Sequence, residues 1–214
     1  MEEQSRYDAK LTRILREAAA VFAEKGYHRA SIRDISAATG VSLSGLYYYV
    51  DSKEELLYLI QRQCFETILE NLHSDLRDVT DPERRLSLLI SNHLGFFASN
   101  MSEMKVLSHE ADVLSGDYAR KITDQKREYS AIVSDLLDAL APQAHSVDLR
   151  RATFSLFGMM NWIYTWYRPD RDGPVNVLAT EMTHLFLRGF GSGLQDGGIE
   201  GGGGYNATSM WRAV

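Results

Sequence analysis

Apolar residues along this chain recur at helical spacing and almost nowhere alternate with polar ones. Leu11, Ile14, Leu15, Ala18 and Phe22 fall on one face of a first helix, which Gly26 closes. A short second helix follows. Ser31 stands at its N-cap with Asp34 three residues on, a capping-box pattern. Ile32, Ile35 and Ala38 form its inner face, and Gly40 ends it. Ser42 opens a third helix that carries Leu43, Leu46 and Val50 inward. Asp51 or Ser52 caps a long fourth helix with Leu56, Ile60, Ile68 and Leu72 among its apolar positions. Beyond Asp81-Pro82 the same periodicity predicts helices near 83–99, 103–115, 117–140, 147–167 and 174–190. Pro142 and the run Pro169-Asp170-Arg171-Asp172-Gly173-Pro174 break the last three apart. The expected fold is all-α, with a small three-helix unit ahead of a larger helical body.

The small unit has the form of a helix-turn-helix: two short helices joined by a tight turn, the second free to enter a groove. Gly40 supplies the left-handed backbone that the turn needs. Ile35, Val41 and Leu46 pin the two helices together. With Leu43, Leu46 and Val50 inward, a rotation of about 100° per residue turns Ser44, Gly45, Tyr48 and Tyr49 outward, with Tyr47 at the edge. Tyrosine hydroxyls can reach phosphate oxygens, and their rings can touch sugar and thymine methyl groups. Small Ser44 and Gly45 would let the helix approach base edges. Lys53, opening the next helix, can neutralise a phosphate. Periodicity alone leaves a second reading open, a three-helix unit with a tyrosine-rich packing surface.

Composition narrows the class. With 44% apolar residues the chain can bury a substantial core. No run of 18 uncharged apolar residues occurs, so a membrane span is not expected. The start, Met1-Glu2-Glu3-Gln4-Ser5-Arg6, lacks the apolar run of a secretory signal. One cysteine, Cys64, excludes an internal disulfide framework. A soluble, cytoplasmic chain is expected. The net charge of −6 does not advertise nucleic-acid binding. Its distribution softens that objection: residues 1–63 hold nine Lys/Arg and nine Asp/Glu, and the remainder holds 14 and 20. The acidic excess therefore lies outside the first 63 residues. Phosphate contacts act locally and are screened beyond roughly 8 Å at physiological salt.

Residues 10–56 carry a sharper signal. The motifs Phe22-Ala23-Glu24-Lys25-Gly26-Tyr27, Ser31-Ile32-Arg33-Asp34-Ile35, Gly40-Val41-Ser42 and Leu46-Tyr47-Tyr48-Tyr49-Val50-Asp51-Ser52-Lys53-Glu54-Glu55-Leu56 strongly resemble the DNA-binding domain of TetR/AcrR-family repressors. The resemblance implies that Ser31 caps the second helix and touches a phosphate, and that Arg33 reaches a base. It implies that Leu43, Ser44, Gly45 and Tyr47 lie over bases, and that Tyr48, Tyr49 and Lys53 hold the backbone. Ser42 joins this set of DNA-binding candidates. The chain departs from the commoner pattern in three places. Leu43 stands where lysine is frequent, Gly45 one residue later than the usual glycine, and Val50 where phenylalanine is frequent. The first two bear on the base contacts and hence on the operator sequence.

The implied organisation is a helix-turn-helix domain over 1–52, a helical ligand-binding and dimerisation domain over 53–190, and a tail over 191–214. From Gly189 onward nine of the 16 glycines fall within 26 residues, so the tail is expected to be disordered. Its four consecutive glycines are followed by no Gly-Lys-Ser/Thr and make no phosphate loop. The segment from Phe154 to Tyr167 is apolar almost all round, so both its faces should be buried. A dimer interface on one side and a ligand cavity on the other would do this, with Gly158 permitting close approach. Asn161 is the one strongly polar residue inside the run and needs partners; a satisfied core asparagine is the plainer account. Phe96, Phe97, Met101, Met104, Leu107, Phe157, Asn161, Trp162 and Thr165 are the candidate ligand-binding residues. Ordinary core is the competing account of each. Residues 147–190 resemble the helix pair that forms a four-helix bundle with the partner subunit in that family. Asn161-Trp162 and Trp166-Tyr167-Arg168-Pro169 look like the pattern of members answering to lipid or acyl-coenzyme A metabolites. Arg168 or Arg171 could meet a phosphate, although solvated surface arginines are the simpler reading.

The expectation is a homodimeric DNA-binding regulator released by a small apolar or acyl-CoA-like ligand, with no cofactor, no metal and no catalytic residue. Its rival is a helical adaptor that binds only protein. Enzyme signatures fail one by one. His109-Glu110 lacks a second histidine at zinc spacing. His93, His109, Glu110 and Asp112 could gather around a metal, but helical surface placement is the expectation. Gly191-Ser192-Gly193 lacks the spacing of a nucleophile elbow, and Cys64 reads as a buried structural thiol.

Overall fold

The computed structural model describes residues 2–110, 112–140 and 148–191. Every element among them is helical: α1 (Glu2–Lys25), α2 (Ile32–Thr39), α3 (Leu43–Leu46), α4 (Lys53–Leu76), α5 (Pro82–Ser99), α6 (Met101–His109), α7 (Gly116–Leu140), α8 (Leu149–Asn161), α9 (Ile163–Trp166), α10 (Pro169–Asp172) and α11 (Val175–Gly191). None is long and apolar enough to cross a membrane. Pro142 and the glycine-rich tail beyond 191 lie outside the described residues.

These helices form two compact units. One comprises the residues up to Glu66 with Asn100–Gln125; the other comprises Thr67–Ser99 with the described residues from Lys126 onward. This grouping does not break at 52/53, because the first part of α4, all of α6 and the start of α7 belong with α1, α2 and α3. In the first unit α1 packs on α2 and also on α6. Ile14, Ala18 and Phe22 of α1 are buried, as are Ile35, Leu46, Val50 and Leu56; the α1 residues form the stripe that the 3.6-residue period marks out. In the second unit α5 packs on α8, α9 and α11. Leu86, Leu89, Ile90, Leu94 and Phe97 supply its buried stripe.

Local chemistry sets the helix starts. Ser52 Oγ accepts the Glu55 N–H at 3.0 Å and the Glu55 carboxylate accepts the Asp51 N–H, so Ser52 caps α4. Asp81 accepts the Arg84 N–H at 2.7 Å, with Pro82 at the first helical position, where its missing N–H costs nothing. Asp148 caps α8 through the Arg151 N–H at 3.2 Å; the Arg151 side-chain bond, and then this backbone bond, lower its carboxyl pKa.

Three expectations need correction. The helix anticipated over 147–167 is interrupted at Trp162, which separates α8 from α9. The helix anticipated to 115 ends at His109. The inner face of α2 uses Thr39, which is buried, and leaves Ala38 exposed. Thr39 is drawn in by hydrogen bonds: its hydroxyl donates to Ile35 O at 2.8 Å and accepts the Val41 N–H at 3.2 Å.

Candidate functional site

The reading head is built around the turn between α2 and α3. Ser31, extended at φ −111°, ψ 159°, makes the full capping box with Asp34. Its hydroxyl accepts the Asp34 N–H, and the Asp34 carboxylate accepts the Ser31 N–H at 2.8 Å and its O–H at 2.6 Å. Lys25 Nζ reaches the same carboxylate at 2.6 Å. The Lys25 bond and the Ser31 bonds together hold the Asp34 carboxyl far below the usual range. Gly40 takes the left-handed conformation at φ 65°, ψ 17°, which costs a glycine no steric penalty. Ser36 Oγ donates to Val41 O at 2.6 Å, and Arg13 of α1 donates to Thr39 O at 3.2 Å. The turn is thereby fixed from both sides.

Beyond the turn, α3 is a single turn of helix. Ser42 caps it by accepting the Gly45 N–H at 3.1 Å. Leu46 and Val50 are buried as expected. Leu43 is not: it is 38% exposed, so it belongs to the presented surface and not to the core. Gly45 is also reassigned. A Cβ there would lie 2.9 Å from Val41 Cγ1 and 3.1 Å from Ser42 Oγ, so its missing side chain faces back into the turn. Close packing against a stiff valine is by itself a reason for glycine here. The three tyrosines sit on the turn that follows α3, held by Tyr49 N–H to Leu46 O at 2.9 Å. Tyr47 is 53% and Tyr48 72% exposed, while Tyr49 is half-buried with its ring edge-on to Tyr48 at 5.2 Å. Arg33 and Ser44 are exposed on the same unit. Tyr47 and Tyr48 are therefore not core side chains of this unit.

Lys53 behaves differently from a solvent-facing cation. Its ammonium donates to Tyr27 O and Ala30 O, each at 2.9 Å, and lies 4.3 Å from the centre of the Tyr27 ring. Two of its three N–H bonds thus close the loop between α1 and α2. The end of α6 grips the same loop. The Glu110 carboxylate accepts the Tyr27 N–H at 2.9 Å, and Gln61 of α4 donates to Glu110 O at 3.2 Å. Nearby, Glu54 accepts both the N–H and the O–H of Ser115 at 2.8 Å, bonds that lower its carboxyl pKa. Sequence reasoning did not identify Glu110 in this role, because its partner is a backbone amide 83 positions away.

The second unit holds a buried polar triad. His93 Nε2 pairs with Asn161 Oδ1 at 3.0 Å and Nδ1 with the Tyr129 hydroxyl at 2.9 Å. An amide oxygen can only accept, so Nε2 carries the proton and Nδ1 receives the tyrosine O–H. Phe97 stacks on the imidazole at 4.2 Å, and Phe157 tilts toward it at 6.2 Å. Burial pushes the His93 pKa down to about 3, partly opposed by the Asn161 bond. Burial likewise raises the Tyr129 phenol. The expectation of a surface His93 is therefore wrong, and the signal was present: His93 continues the stripe of Leu86, Leu89, Ile90, Leu94 and Phe97. Among the described residues no group of three His, Cys, Asp or Glu side chains could hold a metal. Asn161 is buried with its Oδ1 bonded to His93, and Cys64 is buried with its thiol pKa pushed up by that burial.

Of the residues expected to line a ligand cavity, the structure brings Phe97, Phe157 and Asn161 together around His93. Met104 and Leu107 are buried in the other unit, Met101 is half-buried there, and Phe96 is half-buried on α5. Trp162, 47% exposed, and Thr165 lie on the surface of this chain. Gly158 is open as well: a Cβ there would meet nothing within 4 Å. Arg171 pairs with Asp172 at 3.0 Å, and Arg168 donates to Tyr167 O at 2.9 Å.

Comparison with known proteins decides what this arrangement is. Residues 14–58 match the model of bacterial regulatory proteins of the tetR family, and residues 79–190 match that of the tetracyclin repressor-like C-terminal domain. The chain belongs to the TetR family. It is a DNA-binding transcriptional regulator and not an enzyme. A TetR-family transcriptional regulator from Bordetella parapertussis 12822 is 32% identical, with a TM-score of 0.79 over 87% of this chain and 98% of that one. AibR, solved in complex with isovaleryl coenzyme A and operator DNA, is 26% identical, with a TM-score of 0.74 over 82% and 97%. The fatty acid metabolism regulator protein of Bacillus subtilis (strain 168) is 23% identical over 84% of this chain and 95% of its own length.

Proposed function

We propose that this regulator represses transcription as a homodimer on a palindromic operator and leaves it when an acyl-CoA-like ligand occupies its helical body. On this reading residues 1–52 read DNA and 53–190 bind ligand and partner. The observation that carries it is the likeness to AibR over 97% of that chain, a protein solved with an acyl-CoA and operator DNA together. The Bacillus subtilis relative is a regulator of fatty acid metabolism, a setting in which acyl chains are at hand. The exposed Tyr47–Tyr48 turn supports the DNA half. Exposed Trp162, Trp166 and Leu185, with open Gly158, lie on the α8, α9 and α11 elements that the reading assigns to the partner subunit.

A two-fold dimer enters successive major grooves when its heads stand about 34–36 Å apart. A ligand that favours another head spacing removes the DNA-competent population in proportion to its differential affinity. A role on the chromosome places the chain in the cytoplasm. The test is fluorescence anisotropy on a duplex from the regulator's own upstream DNA, with isovaleryl-CoA, longer acyl-CoAs and free coenzyme A as competitors. Release by at least one acyl-CoA and not by coenzyme A alone supports the proposal. An operator affinity indifferent to every acyl-CoA refutes the ligand half.

A further inference from the structure

Outside the tetR-family match, which begins at residue 14, the first turns of α1 meet the tyrosine turn. The Tyr7 ring stacks on Tyr49, with centroids 4.8 Å apart and planes at 29°. It also stands edge-on to Tyr48 at 5.9 Å and 72°. With Tyr48 and Tyr49 edge-on to each other, the three rings form one closed aromatic cluster. Lys10, one helical turn on from Tyr7, carries its ammonium 5.8 Å from the centre of the Tyr49 ring. Lys10 is exposed and Tyr7 half-buried.

We propose that Tyr7 and Lys10 form an additional edge of the duplex interface, Lys10 neutralising a backbone phosphate and Tyr7 positioning Tyr48 through the ring cluster. The inference rests on the DNA-reading role of the tyrosine turn. Exposed aromatic side chains on an irregular turn keep their rotamer freedom unless something clamps them, and ordering such a side chain on binding carries a cost that opposes association. Stacking by Tyr7 settles that cost in advance. A cation held over an aromatic ring keeps its charge and its free N–H donors, so Lys10 is oriented without being consumed. The nearby acidic groups are Asp8 and Glu55. The Glu55 carboxylate accepts the Asp51 N–H.

The experiment measures the affinity of the full chain for a mixed-sequence 30-base-pair duplex, by anisotropy across a salt series, for the wild type, Lys10→Gln, Tyr7→Phe and Tyr7→Ala. Each phosphate contact contributes about 0.9 to the slope of log K against log salt. Lys10→Gln should therefore lower the slope by about 0.9 and weaken binding about eightfold at 0.1 M salt. Tyr7→Ala should weaken binding several-fold with the slope unchanged, and Tyr7→Phe, which keeps the ring, should bind as the wild type does. An unaltered slope in Lys10→Gln, with the wild type binding in a salt-dependent way, overturns the phosphate assignment alone. Wild-type affinity in a folded Tyr7→Ala overturns the positioning role. A wild type with no salt-dependent affinity overturns the DNA-reading role itself.

Discussion

The carboxylate of Glu110, at the end of α6, accepts the backbone N–H of Tyr27 at 2.9 Å. A side chain from one helix thus completes the hydrogen bonding of the loop that leads into the reading head. Tyr27 is buried, so its N–H is poorly served once the acceptor is lost. Glu110→Ala should destabilise the protein by about 1–3 kcal/mol, the range for leaving a buried donor unpaired. Urea denaturation checks this, and an unchanged midpoint would show the bond to be idle.

Lys53 closes the same loop from the α4 side. Because its ammonium serves Tyr27 O and Ala30 O, Lys53→Met should lower stability by roughly 1–3 kcal/mol. Duplex affinity should fall through loss of loop geometry, with the salt slope unchanged. A slope lower by about one, at full stability, would instead mark Lys53 as a phosphate ligand.

Replacing Gly45 tests the reason for its presence. An added methyl group meets Val41 Cγ1 at 2.9 Å, and Val41 is buried and stiff at its branched Cβ. Gly45→Ala should cost about 1–3 kcal/mol, as overpacking does, and should weaken duplex binding. Full stability with weakened binding would return this glycine to the base-contacting surface.

The His93 triad makes stability depend on pH. The folded-state pKa is depressed to about 3, against about 6.5 in an unfolded chain. Between these values the unfolded state binds the extra proton, so stability present above pH 6.5 is lost as pH falls toward 3. The slope approaches roughly 1.4 kcal/mol per pH unit. Urea unfolding at pH 7.5 and pH 5 should show this loss in the wild type and a smaller one in His93→Gln. Equal losses would mean that His93 titrates in the fold as freely as outside it.

Helix periodicity, caps and the Gly40 turn were legible in the chain because they are local: Ser31 and Asp34 are three residues apart, and Gly40 needs only its own backbone. Leu43 was misplaced because α3 is a single turn, too short for a 100° rotation rule to settle which side is buried. The pairing of Glu110 with Tyr27 and the meeting of His93, Tyr129 and Asn161 were not legible. Each joins residues tens of positions apart, and a polar side chain on an apolar stripe does not name its partner. The break at Trp162 was hidden for a similar reason, since the apolar run continues through it.

The exposed tyrosine turn as the DNA-reading surface is the claim on which the account depends, and Tyr48 tests it most directly. At 72% exposure its side chain contributes little to the core, so Tyr48→Ala should leave the thermal midpoint within about 3 °C of the wild type. Affinity for the upstream duplex should fall about tenfold or more, equivalent to roughly 1.4 kcal/mol. Wild-type affinity in the folded variant would contradict the account.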